Sequence, residues 1–212
     1  KHPSGLNYIG AVKSAVQSLS APGVIFKKQL HSLSQFYNFI IIDLGNDFTD
    51  LQMSVIEEAS VVLTLTTPEV LAVNQTKRVV QDLIAKALPA EYVQLIVNNY
   101  GKSSLDPKLI GQSIGRPVMA TIPQDDTSVY GSIQRSMPFV LTQNQAPITA
   151  AYYDIVRKLT GGLLQKLKAS SKPKKMTASP GSPGSPATIG SKSNTSTSDT
   201  NADPQTLLIV KH

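Results

Sequence analysis

Four short apolar runs recur between residues 39 and 122, each followed by a turn signal and a longer stretch of helical spacing. Strand and helix signals that alternate in this way constrain the chain to an α/β architecture. A mostly parallel sheet forms, the crossovers are right-handed, and helices lie on both faces. The first run, Phe39-Ile40-Ile41-Ile42, has three consecutive β-branched residues and predicts a strand buried on both faces. Asp43 follows it at once, placing a carboxylate at the strand's carboxyl end, where open α/β sheets bind ligands. A carboxylate buried there is costly unless a cation or several donors compensate it. Gly45 permits a sharp turn, and Asn46, Asp47, Thr49 and Asp50 are candidate caps for a helix over residues 49–59. Asp43 therefore has two readings, a carboxylate ordering a metal-bound water beside a phosphate, or a cap of the next helix.

The remaining elements follow in order. Residues 6–11 read as a short strand and 24–36 as a helix, with Ile25, Phe26, Leu30, Leu33 and Phe36 at helical spacing. Residues 60–66 form the second strand. Thr67-Pro68-Glu69 then has the composition of a helix start, with a capping Thr, Pro at the first position and an acid in the first turn. That helix is expected to reach Leu88, ahead of Pro89. Residues 92–97 form the third strand, ending at Asn98-Asn99. Asp106-Pro107 opens a helix that Gly115 closes, residues 117–122 form a fourth strand, and Pro123-Gln124-Asp125-Asp126 follows it. A helix over 127–136 and a last long one from Pro147 to about Lys168 complete the globular part, residues 1–168. Three strand ends carry polar groups suited to a ligand, Asp43, Asn98 and Asp125. A parallel sheet directs all three to one rim.

Composition narrows the chemistry. The chain has no cysteine, so it holds neither a disulfide frame nor a thiolate metal site. His2, His31 and His212 are far apart in sequence and show no metal-ligand spacing. No apolar run has the length of a membrane span. The net charge of +6 is concentrated in Arg157, Lys158, Lys166, Lys168, Lys172, Lys174 and Lys175, which leaves the rest of the chain nearly neutral. Residues 169–205 are basic and then rich in Ser, Pro and Gly, a disordered-tail composition too polar to bury a core. Residues 206–212 turn apolar and β-prone again, as a packed terminal strand or, by preference, the start of a further domain. Tyr100, Tyr130, Tyr152 and Tyr153 do not alternate with cations, which argues against a stacking platform for single-stranded nucleic acid.

Four segments, in order, carry a resemblance to a known family. Residues 37–43 resemble the "YDYIIID" Walker B strand, and residues 58–69 the "EADxVLLVTTPE" strand and turn. Residues 95–99 resemble "LVxNR", and residues 114–125 "LGxxVxxxIPxD". Together they resemble the carboxyl-terminal portion of the MinD/ParA superfamily of deviant-Walker P-loop ATPases, with the CpaE/TadZ pilus-assembly branch nearest. The resemblance implies an incomplete P-loop NTPase-like fold. Asp43 would be the catalytic acid that holds Mg²⁺ through water, Asn98 would bind the adenine edge and the Pro123 backbone would line the base pocket; Asp125 joins this cofactor-binding set, with a helix cap as its other reading. It also implies ATP and Mg²⁺ as cofactors of an intact parent, a homodimer, pilus or secretion machinery proteins as partners, and a cytoplasmic site of action, peripheral at the inner membrane. The family often has Arg or Lys where Asn99 stands, and many members follow the Walker B acid with Pro where this chain has Leu44-Gly45-Asn46.

The sequence contains no G-x-x-x-x-G-K-[ST] loop, whose amides and lysine cradle phosphate in these enzymes. This chain alone is therefore expected to bind nucleotide poorly and to be inactive, as a fragment of an ATPase that positions envelope machinery by nucleotide-dependent dimerisation. The alternative is a non-catalytic localisation or scaffold module that keeps the ATPase fold. Residues 163–175 also have two readings. They resemble a basic amphipathic membrane tail, each lysine near an anionic surface adding ~1 kcal/mol. Because Gly161-Gly162 interrupts the helix, a final helix running into a solvated linker is preferred.

Overall fold

The structure is a computed structural model that describes residues 5–9, 23–45, 49–86, 88–163 and 205–211. Its sheet consists of β1 (Phe39–Asp43), β2 (Val61–Thr66), β3 (Val93–Tyr100), β4 (Val118–Pro123) and β5 (Gln205–Lys211). The order across the sheet is β1-β5-β2-β3-β4, and every neighbouring pair is parallel. The helices are α1 (Gly23–Ser34), α2 (Asp50–Glu57), α3 (Val70–Lys86), α4 (Pro107–Ile114), α5 (Asp126–Gln134), α6 (Phe139–Thr142) and α7 (Pro147–Lys158). This is the parallel α/β class that the alternating pattern requires.

The alternation of side chains along each strand sorts the core into two layers. Val62 of β2 and Val93, Leu95 and Val97 of β3 pack beneath α1, α2, α3 and α4, against Leu30, Ile56, Leu83 and Ile110. On the opposite face Val61, Leu63, Ile96 and Ile122 pack against Ile148 and Ile155 of α7. Because β2 is covered on both faces, its sequence has no polar alternation, and even Thr64 and Thr66 are buried. Each large side chain fully buried in this way stabilises the fold by about 1.5–3 kcal/mol.

β1 departs from the expectation. Ile40 and Ile42 pack against the first layer, but Phe39 and Ile41 are 50% and 59% exposed. The second face is covered by α7, which lies on β4 at the far side of the sheet, and its cover does not reach β1. An apolar run alone does not reveal whether both faces will find cover.

Several element ends also shift. α3 begins at Val70, with Glu69 O accepting from Val73 N at 3.0 Å, so Thr67 and Pro68 precede the helix and do not open it. The last helix stops at Lys158 and does not run to Lys168. A π-type turn at Leu159–Leu163 follows, broken by Gly161 and by Gly162 at φ 141°. Residues 5–9 form no strand, and Leu6, Tyr8 and Ile9 are exposed; residues 10 and 11 lie outside the described residues. α6 has no helical signal of its own and is anchored by Phe139, whose ring meets Tyr152 edge-on at 5.4 Å. α4 matches its sequence signals. Asp106 Oδ1 accepts from Lys108 N at 2.7 Å, Pro107 sits in the first turn, and Gly115 closes the helix at φ 81°. Gln205–Lys211 is paired into this sheet between β1 and β2, as the packed-strand reading of residues 206–212 has it. The segment 169–204 lies outside the described residues.

Two substitutions test this layering by chemical denaturation. Leu95→Ala, at a fully buried site on β3, should cost about 2–5 kcal/mol. Ile41→Thr, on the open face of β1, should stay within about 0.5 kcal/mol of the parent.

Candidate functional site

In a parallel sheet all carboxyl ends share one rim, so the described geometry brings Asp43, Asn98, Pro123 and Asp125 to the same edge. The helix after β3, α4, lies in the first layer, whereas α7, which comes after β4, α5 and α6, lies in the second. The carboxyl ends of β3 and β4 lie side by side on the rim where open α/β sheets bind ligands.

A β-bulge shapes that part of the rim. The β3–β4 ladder pairs Val97 with Thr121 and next pairs Tyr100 with Pro123, so β3 carries one extra residue at Asn98-Asn99. Asn99 adopts φ 58°, a left-handed conformation that a short amide side chain tolerates better than most. Bulges re-aim side chains and end pairing, and they recur beside active sites. Beyond the bulge the two strand ends interlock. Gln124 N donates to Tyr100 O at 3.0 Å, and Gly101 N donates to Ser104 Oγ at 2.8 Å. A Cβ at Gly101 would come within 3.2 Å of Gln124 Oε1, the mobile end of a side chain, so the two loops lie close at this point. Asn98 is half-buried and shares the alternation of Ile96, on the α7 side of the sheet.

Asp125 caps α5. Its Oδ1 accepts from Ser128 N at 2.9 Å, and its Oδ2 lies 2.6 Å from the buried Ser128 hydroxyl. These bonds hold its carboxyl below the usual aspartate range. Both oxygens are thus committed to the helix start, and Ser128 Oγ also lies 2.6 Å from Gln143 Oε1. Asp126 receives a weaker bond from Gln124 Nε2 at 3.3 Å.

Asp43 is exposed at the tip of β1, so the cost of burying a carboxylate does not arise there. Its Oδ1 accepts from Gly45 N at 3.2 Å across a turn in which Gly45 adopts φ 66°. It follows Phe39 and Ile41 in the alternation and so lies on the same sheet face as Asn98. Three strand spacings separate β1 from β3, about 14 Å across the sheet. Thr49 is the residue that caps α2, its amide donating to Gln52 Oε1 at 3.1 Å. Asp50 is the first residue of that helix, and Asn46 and Asp47 lie outside the described residues.

Among the described residues there is no group of three or more His, Asp or Glu side chains that could hold a metal by itself. A metal at Asp43 would thus take most of its ligands from water or a phosphate. A large open groove runs along the free edge of β4, lined by Lys108, Arg116, Met119, Asp154 and Lys158. It lies away from the strand tips. Sequence reasoning missed the bulge, Gln124 and Ser128. The one available signal was Asn98-Asn99 followed closely by Gly101, a turn-forming composition at the end of an apolar run.

A parallel sheet with helices on both faces and polar strand tips on one rim has the P-loop NTPase-like fold of the MinD/ParA ATPases. The chain is similar to a ParA family ATPase from Chlorobium tepidum TLS, with a TM-score of 0.64 at 18% identity, over 71% of this chain and 62% of that one. It is likewise similar to the septum site-determining protein MinD of Pyrococcus horikoshii OT3, solved with Mg-ADP. There the TM-score is 0.60 at 20% identity, over 71% of this chain and 63% of that one. In sequence it is 27% identical over 131 residues to the septum site-determining protein MinD of Mesostigma viride. That alignment takes in 59% of this chain and 45% of that protein, so the chain spans under half the length of its curated relative. No family model matches the chain.

The capping role of Asp125 has a pH signature. Its lowered folded-state pKa means that its contribution is complete above the ordinary aspartate range and is lost as pH falls through the lowered value. Asp125→Ala should therefore lower the melting temperature at neutral pH, and the gap to the parent should close under acid conditions. Thermal melts of both proteins across the acid range would check this.

Proposed function

We propose that this chain is the Walker B and base-binding part of a MinD/ParA-like ATPase whose parent positions pilus or other envelope machinery by nucleotide-dependent dimerisation. The observation that carries this reading is the common rim of Asp43 and the bulged Asn98–Pro123 strand ends, on a sheet with that fold. Their separation of about 14 Å suits a ligand with its base at one end and its phosphates at the other. A side-chain amide at Asn98 offers both a donor and an acceptor to a base edge. The Pro123 backbone lines the same part of the rim, and Asp125 shapes it by fixing the start of α5. Asp43 has one carboxylate oxygen on the Gly45 amide and the other facing solvent, an arrangement that suits a hydrated Mg²⁺. When bound, the metal supplies charge compensation at the phosphates. The described residues offer no phosphate-binding loop of their own, so tight nucleotide binding belongs to the parent.

The test is ATP binding and turnover by the full-length parent. Asp43→Ala should lower turnover at least about 100-fold with little effect on base binding, whereas Asn98→Ala should raise KM for ATP. Turnover that is indifferent to Asp43→Ala would remove Asp43 from the mechanism. A parent that binds no ATP at all would establish the scaffold alternative.

The less favoured reading of residues 163–175, a weak contact with anionic membrane, has its own test. Lys158 and Arg157 are both bonded to Asp154, whose carboxyl they hold below its usual range. Co-sedimentation with phosphatidylserine vesicles should fall when residues 163–175 are deleted and should weaken as salt rises. Unchanged sedimentation would rule the contact out.

A further inference from the structure

Ser128 joins the start of α5 to the end of α6. It lies in the first turn of α5 and is 5% exposed, and its hydroxyl oxygen is 2.6 Å from both Asp125 Oδ2 and Gln143 Oε1. A serine hydroxyl has one proton to give, and its lone pairs can receive another. Two acceptors at that distance are more than one proton can serve. A buried oxygen left facing another oxygen with no proton between them is costly.

One of the two partners is therefore a donor, and it is not Asp125. The Ser128 hydroxyl, and then the Ser128 amide, hold the Asp125 carboxyl below the usual aspartate range, so at neutral pH it is ionised and only accepts. A glutamine amide has the same shape either way round, with an acceptor at one end and two donors at the other. Turning the Gln143 amide over brings Nε2 to Ser128 and balances every proton. Nε2–H then donates to Ser128 Oγ, and the Ser128 hydroxyl donates to Asp125 Oδ2.

Gln143 is itself held from the other side. Its N–H donates to Phe139 O at 2.7 Å, closing α6, and its C=O accepts from Ala146 N at 3.1 Å, just ahead of Pro147 and α7. Those elements are seated on the second layer of the core through Phe139, Ile148 and Ile155. At the far end of the relay, Asp125 follows directly on Gln124, whose N–H donates to Tyr100 O at 3.0 Å. The turn Pro123–Asp126 is thus tied to β3 at one point and, through Ser128 and Gln143, to the α6–α7 junction at another.

We propose that Gln143 is a positioning residue for the rim: its side-chain Nε2 donates to Ser128, and this relay fixes where the Pro123–Asp126 turn stands beside Asn98. Its bearing on a nucleotide rests on the base-binding reading above, whereas the relay itself does not.

The relay is tested first in this chain without nucleotide, by NMR of the isotope-labelled protein. One Gln143 side-chain amide proton, identified by its loss in Gln143→Met, should exchange at least about tenfold more slowly than those of exposed glutamines and should shift in Ser128→Ala. If both protons exchange as freely as those of exposed glutamines, Oε1 faces inward and the proposal fails. Gln143→Met keeps the length of the side chain and removes the donor. It should speed exchange at the Gln124 and Ser128 backbone amides while the amides of β2 keep their rates. No change at those two amides, or an equal rise throughout the sheet, would make Gln143 an ordinary packing residue and overturn the proposal. In the full-length parent the same substitution should raise KM for ATP about 3–10-fold and leave kcat within about twofold. If Gln143→Met frees the turn but leaves KM unchanged, the relay stands and the base-binding reading falls.

Discussion

Everything in this fold depends on the pairing of backbone groups in strands that are dry on both faces. β2 is buried beneath α1–α4 on one side and α7 on the other, so water cannot satisfy its amides and carbonyls. Only neighbouring strands can, and both neighbours run parallel to it. Parallel pairing cannot be closed by tight hairpins, so each connection crosses a face as a helix, and the helices in turn supply the cover. The same constraint places every strand's carboxyl end on one rim. The candidate site is thus a consequence of how the backbone is satisfied, and it needs no separate organising feature.

That rim is differentiated by small local devices. At the β3–β4 end an extra residue and a left-handed Asn99 accompany two loops within hydrogen-bonding distance of each other. The Asp125–Ser128 bonds then fix where α5 departs. At the β1 end Asp43 is held by a single turn amide and otherwise faces solvent. One end of the rim is therefore rigid and shaped, while the other is open and charged. A ligand with a planar base and a phosphate tail places complementary demands on the two ends.

Legibility from sequence followed the physics of each element. α4 could be read almost to the residue because Asp106, Pro107 and Gly115 act locally, through one side-chain cap, one fixed φ and one left-handed residue. The strand runs were legible because burial on both faces leaves unbroken apolar sequence. Their flanks were less so. Thr67-Pro68 has the composition of a helix start, yet the turn begins at Val70, since a local signal only offers a cap that tertiary packing then takes or declines. α6 is a helical turn held by a ring contact between Phe139 and Tyr152, residues whose proximity no spacing rule announces. Asp43, Asn98 and Asp125 were picked out because each ends a strand run, and Pro123 through the family resemblance. The bulge that shapes their rim escaped notice, because it is a mismatch between two ladders and belongs to neither strand alone.

The sequence by itself determined the class of the fold, the positions of the apolar runs and the polar residue that ends each one. These follow from periodicity and from the chemistry of single turns. Only the tertiary structure decided which faces are covered, which is why Ile41 of an apparently core strand is left open. It also decided that the last apolar stretch pairs between β1 and β2. Both outcomes depend on contacts between segments far apart in the chain, and a β-prone sequence carries no mark of which edge will accept it.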